Sequence, residues 1–65
     1  MNIYLENLLT VKEVQDRLKL GKNNTYKLVN KKGFPKIIIG KKILIPEEQF
    51  EKYIMNHVRS KIELE

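Results

Sequence analysis

Residues 18–46 read LKLGKNNTYKLVNKKGFPKIIIGKKILIP, and the organisation of the chain follows from them. Leu20-Gly21-Lys22-Asn23 interrupts one helical pattern and opens another, since glycine tolerates turn angles and also serves as a helix N-cap. The spacing predicts a helix over about Lys22 to Lys32, with Thr25, Leu28 and Val29 turned toward the preceding helix. Its opposite face carries Lys22, Asn23, Asn24, Tyr26, Lys27, Asn30 and Lys31, mixing amides, lysines and a tyrosine with no acid. Gly33 ends this helix and Pro35 prevents it from resuming. Lys36-Ile37-Ile38-Ile39, Gly40-Lys41-Lys42 and Ile43-Leu44-Ile45 then read as a β-hairpin, two β-branched arms joined by a glycine-containing turn. If the loop is Gly40 to Lys42, Ile39 faces Ile43 and Ile37 faces Ile45 on the inner side. Ile38 and Leu44 then pair on the outer side, and a one-residue slip would exchange these faces.

Upstream, Thr10-Val11-Lys12-Glu13 fits a capping box, in which the Thr10 hydroxyl meets the Glu13 amide and the Glu13 carboxylate reaches back. Leu9 and Val14 are placed for a hydrophobic staple, and Val11, Val14 and Leu18 share one face of a short helix ending near Lys19. Downstream, Pro46 suits the first turn of a third, longer helix, and Glu47 and Glu48 suit its positive end. Phe50, Tyr53, Ile54, His57 and Val58 continue that helix as an apolar stripe, with His57 on the packed side and no catalytic role. Residues 1–7 are an N-terminal extension in which Ile3, Tyr4 and Leu5 are placed to lie on the body, and residues 59–65 are a fraying tail. The order is helix, tight turn, helix, hairpin, helix within a single α+β domain spanning residues 1–65. There are no repeats, low-complexity tracts or linkers.

Size and composition exclude most other classes. A chain of 65 residues and 7.7 kDa buries only about 60% of its unfolded surface, so its core is lean. The absence of cysteine rules out a disulfide staple, and one histidine without cysteine cannot build a zinc site. An apolar content of 42% is enough for a compact fold. No apolar run approaches the roughly 20 residues of a membrane span, and no signal-peptide pattern opens the chain. Positioning several groups around a substrate needs a larger scaffold, so no catalytic residues, cofactor or small-molecule substrate is expected. A cytoplasmic binding module remains.

The net charge of +5 is unevenly placed. Residues 1–20 carry three bases and three acids; residues 47–65 carry three bases and five acids. Residues 21–46 carry seven lysines and no acid, so the middle of the chain holds +7. Such a field suits a polyanion, and duplex nucleic acid rewards it through counterion release.

Two short helices joined by a tight glycine turn, the second with a polar and basic outer face, form a helix-turn-helix pattern. In that geometry the second helix enters the major groove of double-stranded DNA. Asn23 and Asn24 suit adenine, whose N6 and N7 an amide can bond together. Lys22 and Lys27 suit a guanine edge or a phosphate, and Tyr26 and Asn30 suit phosphate oxygens. Lys41 and Lys42 lie at the tip of the hairpin, where a wing meets the adjacent minor groove or backbone. Duller readings exist for each residue: helix capping for the asparagines, cover of the core edge for Tyr26, solubility for Lys41-Lys42. The turn, the helix face and the hairpin tip nevertheless coincide inside the acid-free segment. RNA is disfavoured by the lack of exposed aromatics for stacking single-stranded bases.

From Leu8 to Ile54 the chain resembles the excisionase-type winged helix-turn-helix family, relatives of the MerR DNA-binding head. The resemblance rests on Leu8-Leu9-Thr10 with Glu13-Val14, Thr25-Tyr26-Lys27-Leu28-Val29, Gly33-Phe34-Pro35, and Ile39-Gly40-Lys41-Lys42 ending at Ile45-Pro46. It implies a recognition role for Lys22, Asn23, Asn24, Tyr26 and Lys27, and a wing at Lys41 and Lys42. It also implies a phage or mobile-element excision factor acting with an integrase, or a small prophage or plasmid transcriptional regulator. Gly21 stands where the family usually has serine, and Ile38 and Leu44 stand where it often has basic residues. Neighbouring copies on DNA or an integrase would supply the affinity that one small module lacks. A different class is also open, a protein-interaction adaptor using the apolar hairpin face.

Overall fold

The computed structural model describes residues 7–64. The elements run β1 (Leu8–Thr10), α1 (Val11–Leu18), α2 (Lys22–Val29), β2 (Ile37–Ile39), β3 (Lys42–Pro46) and α3 (Glu47–Met55). Three helices and a three-stranded antiparallel sheet of order β1-β3-β2 form the expected small α+β, winged helix-turn-helix architecture. The hairpin is therefore part of a larger sheet. Leu8, Leu9 and Thr10, expected only to lead into the first helix, pair along β3 as Leu8↔Pro46, Leu9↔Ile45 and Thr10↔Leu44.

Thr10 serves twice, as the last residue of β1 and as the N-cap of α1. The capping box forms as expected: Glu13 N–H donates to Thr10 Oγ1 at 3.1 Å, and Thr10 N–H donates to Glu13 Oε1 at 2.8 Å. Helix α1 ends on Lys19 in the left-handed region, φ 56°, where its N–H and that of Leu20 both turn back to Gln15 O. The unusual backbone angle of the turn thus belongs to Lys19. Gly21, expected to supply it, has φ −72° and ψ 165°, extended values open to any residue. Gly21 remains the N-cap of α2, with no side chain to bond the helix amides.

One buried cluster joins Leu9, Val11, Val14, Leu28, Val29, Phe34, Ile45 and Phe50, drawn from every element except β2. Leu9 and Val14, the staple pair, both lie in it. Thr25 is fully buried and donates its hydroxyl to Gly21 O at 2.8 Å, which also accepts the Thr25 N–H at 3.0 Å. Phe34 is the residue whose weight the pattern understated. Its ring meets Tyr53 edge-on at 5.1 Å between centroids and Phe50 at 6.2 Å, so the chain after α2 must fold back onto α3.

That return shortens α2. The helix stops at Val29 instead of Lys32, and Asn30 caps it with its N–H on Tyr26 O. Lys31 N–H then reaches Leu28 O and Phe34 N–H reaches Lys31 O, turning the backbone through Gly33 at φ +92°. Helix α3 is also shorter than its apolar stripe. It ends at Met55, and the following bonds tighten to three-residue spacing, His57 to Ile54 and Val58 to Met55. His57 does pack, its Nδ1–H donating to Tyr53 O at 2.7 Å, but Val58 leaves the core and is exposed. Further along, Ile62 and Leu64 lie against the core.

The hairpin register differs from expectation by one residue. The pairs are Ile37↔Leu44, Ile38↔Ile43 and Ile39↔Lys42, leaving a two-residue loop of Gly40 and Lys41. Gly40 has φ +61° at the first central position, the place a tight two-residue hairpin turn reserves for glycine. Strand β3 keeps its expected faces, with Ile45 buried and Ile43 packed on the core. Strand β2 is reversed: Ile38 shares the inner face with Ile43, and Ile37 and Ile39 share the outer face with Leu44 and Lys42. Ile38 and Leu44 are therefore not a pair. Ile3, Tyr4 and Leu5, expected to lie on the body, are outside the described residues.

Candidate nucleic-acid interface

Helix α2 is held from behind by Thr25, Leu28 and Val29, so its other face is fixed in direction. Lys22, Asn23, Asn24, Tyr26 and Lys27 are all exposed there, with Tyr26 at 41%, and Asn30 is exposed at the C-cap. Lys22, Asn23 and Asn24 occupy the first turn, where amide N–H groups lack helical partners and the dipole is positive. Lys31 departs from this set. It stands past the end of the helix in the turn to Phe34, half-buried, and does not continue the α2 face.

Lys41 sits in the hairpin loop and Lys42 opens β3, both exposed. The fold brings the tip of this hairpin beside α2. Tyr26, Lys41 and Lys42 line one open cleft of about 350 Å³ together with Thr10, Val11, Lys12 and Ile43. Lys12 was not singled out from sequence, because it lies outside the acid-free segment and only the fold carries the start of α1 to the hairpin. It is tied at 3.1 Å to Asp16 on the next turn. Lys22, Asn23 and Asn24 do not line this cleft, so the candidate surface has two parts. One is the first turn of α2; the other is the Tyr26–hairpin cleft.

The acids of α3 are engaged away from this cleft. Arg17 on α1 bonds both Glu47 and Glu51 on α3, the latter at 3.4 Å, and so clamps those helices together. The Glu47 hydrogen bond raises the Arg17 pKa above its ordinary value against a smaller desolvation effect. Glu48 pairs with Lys52 at 3.7 Å on α3 itself. Among the described residues, no ion pair engages Lys22, Lys36, Lys41 or Lys42. The scaffold thus neutralises its own charge and leaves the turn, α2 and hairpin with a positive field. That face combines exposed lysines with side-chain amides and a phenol.

Among the described residues, no helix is long and apolar enough to cross a membrane. Residues 8–58 match a family model described as a helix-turn-helix domain. Comparison with curated proteins and with solved structures gives no significant match.

Proposed function

Since the chain belongs to the helix-turn-helix domain family, a DNA-binding class, we propose that it reads specific duplex DNA sequences with α2 in the major groove. The observation that carries this reading is the cleft shared by Tyr26 of α2 and Lys41 and Lys42 of the hairpin. A groove-bound α2 would bring that cleft against the flanking backbone. Asn23 and Asn24 contact adenine edges from the first turn of α2, and Lys22 and Lys27 contact guanine edges or phosphates. Tyr26 and Asn30 bond phosphate oxygens and set orientation, while Lys41 and Lys42 act as the wing. Lys31, in the turn after α2, contributes to the positive field alone. The protein binds and performs no catalysis.

The biological role we propose is that of an excisionase-like architectural factor of a phage or mobile element, acting with an integrase or with neighbouring copies on DNA. The alternative is a small transcriptional regulator on the same fold. An integrase gene beside the coding sequence supports the first, and a promoter within the bound site supports the second. Selection of bound duplexes from a random pool tests the binding reading itself. A shared core motif is expected among the selected sequences, and recovery of no enriched sequence overturns the proposal of specific recognition.

A further inference from the structure

Helix α2 packs chiefly on α1, so its outer face is only as well directed as the turn between the two helices. Leu20 stands in that turn, half-buried, with its N–H on Gln15 O at 3.2 Å. The chain after α3 comes back to this turn. Arg59 adopts the left-handed region at φ 71°, and Ser60 closes the bend by donating its N–H and its hydroxyl to His57 O, each at 3.0 Å. Residues 61–64 then alternate, with Lys61 and Glu63 exposed and Ile62 and Leu64 half-buried, the two-residue period of an extended segment. Lys61 and Glu63 form an ion pair at 3.6 Å on the outward side. On the inward side, Ile62 and Leu64 lie against the core. They line one aliphatic hollow with Leu18 of α1, Leu20 of the turn, Leu28 of α2 and Ile54 of α3. Leu28 is 3% exposed and belongs to the buried side of α2.

Resting on the DNA-binding reading above, we propose that Ile62 is a positioning residue for α2. Residues 61–64 form a strap that seats the α1–α2 turn from behind and fixes the direction of the DNA-reading face without touching DNA. Ile62 is inward-facing, with Leu64 acting beside it. Withdrawal of Ile62 opens Leu20 and Leu28 to water and frees the turn to take positions that the strap excludes. The contact is aliphatic on all sides, so it adds no charge to the interface and leaves the count of phosphate contacts unchanged.

The test uses the full chain and a duplex taken from the random-pool selection, at a temperature where circular dichroism shows every variant folded. Ile62→Ala is compared with Ile62→Leu and with Val58→Ala, which truncates a side chain of the same C-terminal segment that is 57% exposed. Taking a half-buried isoleucine out of apolar contact shifts the seating of the turn by about tenfold. Binding falls with the seated fraction, so Ile62→Ala is expected to bind about two- to tenfold more weakly. Its log–log salt slope stays at the wild-type value, because no lysine is lost. Its backbone amide resonances from Leu20 to Asn24 are expected to move, although of those residues only Leu20 lines the hollow. Ile62→Leu, which keeps the volume, is expected to restore both readouts, and Val58→Ala to leave both unchanged. A lowered urea midpoint with wild-type affinity in Ile62→Ala makes the tail a stabiliser only and overturns the inference, while the DNA-binding reading stands. Equal losses in Ile62→Ala and Val58→Ala overturn the assignment to the inward side. If Ile62→Ala does not fold, Ile62→Val makes the same comparison in a smaller step, and wild-type affinity there overturns the inference in the same way. Failure of the wild type to bind duplex at low salt removes the inference together with the reading beneath it.

Discussion

Replacing Thr25 in three ways separates the two jobs of a fully buried threonine at the start of α2. Its hydroxyl donates to Gly21 O at 2.8 Å, and its methyl is buried with the rest of the side chain. Thr25→Val keeps the shape and removes the donor. Gly21 O keeps the Thr25 N–H at 3.0 Å, so no acceptor is left unpaired. The loss is then the net value of one hydrogen bond, about 1 kcal/mol. Thr25→Ser keeps the donor and removes a methyl, again about 1 kcal/mol for transfer plus the small void. Thr25→Ala removes both, about 2 kcal/mol, a large share of the roughly 3–10 kcal/mol expected for a domain of this length. Urea titration gives the differences directly. Thermal melts followed by circular dichroism should show Tm falling by roughly 4–8 °C for valine and for serine, and by twice that for alanine. If Thr25→Val is as stable as the wild type while Thr25→Ser loses as much as Thr25→Ala, the hydroxyl holds nothing. The turn would then be fixed by backbone bonds alone.

Three further outcomes follow from the turn and the interface. Gly21 has an extended backbone and open space where a side chain would stand, so Gly21→Ser should stabilise the domain by about 0.5–1 kcal/mol by capping α2 and stiffening the unfolded chain; a urea midpoint below the wild type contradicts this. Gly33 also has open space but sits at φ +92°, so Gly33→Ala should cost about 1–2 kcal/mol from backbone strain alone. An unchanged urea midpoint would show that the turn relaxes. Asn24→Ala should relax base preference at one position of the selected site, at about 1–3 kcal/mol of discrimination; an unchanged selection profile removes Asn24 from the base-reading set.

The elements of the fold were legible wherever two signals agreed. Thr10 and Glu13 marked the start of α1 through their own chemistry, and Thr25, Leu28 and Val29 gave the buried face of α2 by spacing. The hairpin was legible as an element but not in register. Three consecutive isoleucines carry no alternation, so the pattern of β2 has no phase, and the turn at Gly40 and Lys41 decides the pairing. Strand β1 was hidden because Leu8, Leu9 and Thr10 acquire their role only from β3, more than thirty residues away in sequence. The early end of α2 has the same origin. Lysines and asparagine allow a helix to run on, and it is the burial of Phe34 against Phe50 and Tyr53 that turns the chain. For the interface, the acid-free segment named the α2 face and the hairpin tip, because charge counts survive any fold. Its meeting with Lys12 and Ile43 in one cleft needed the three-dimensional arrangement.

Titration of the protein onto a duplex from the selected pool across a series of salt concentrations tests the central claim most directly. With about five lysines against phosphates, log K should fall with log salt at a slope of about −4 to −5, and Lys42→Ala should lower its steepness by about one. Binding that ignores salt, or no binding at low salt, would contradict the claim that this positive surface is a DNA-reading face.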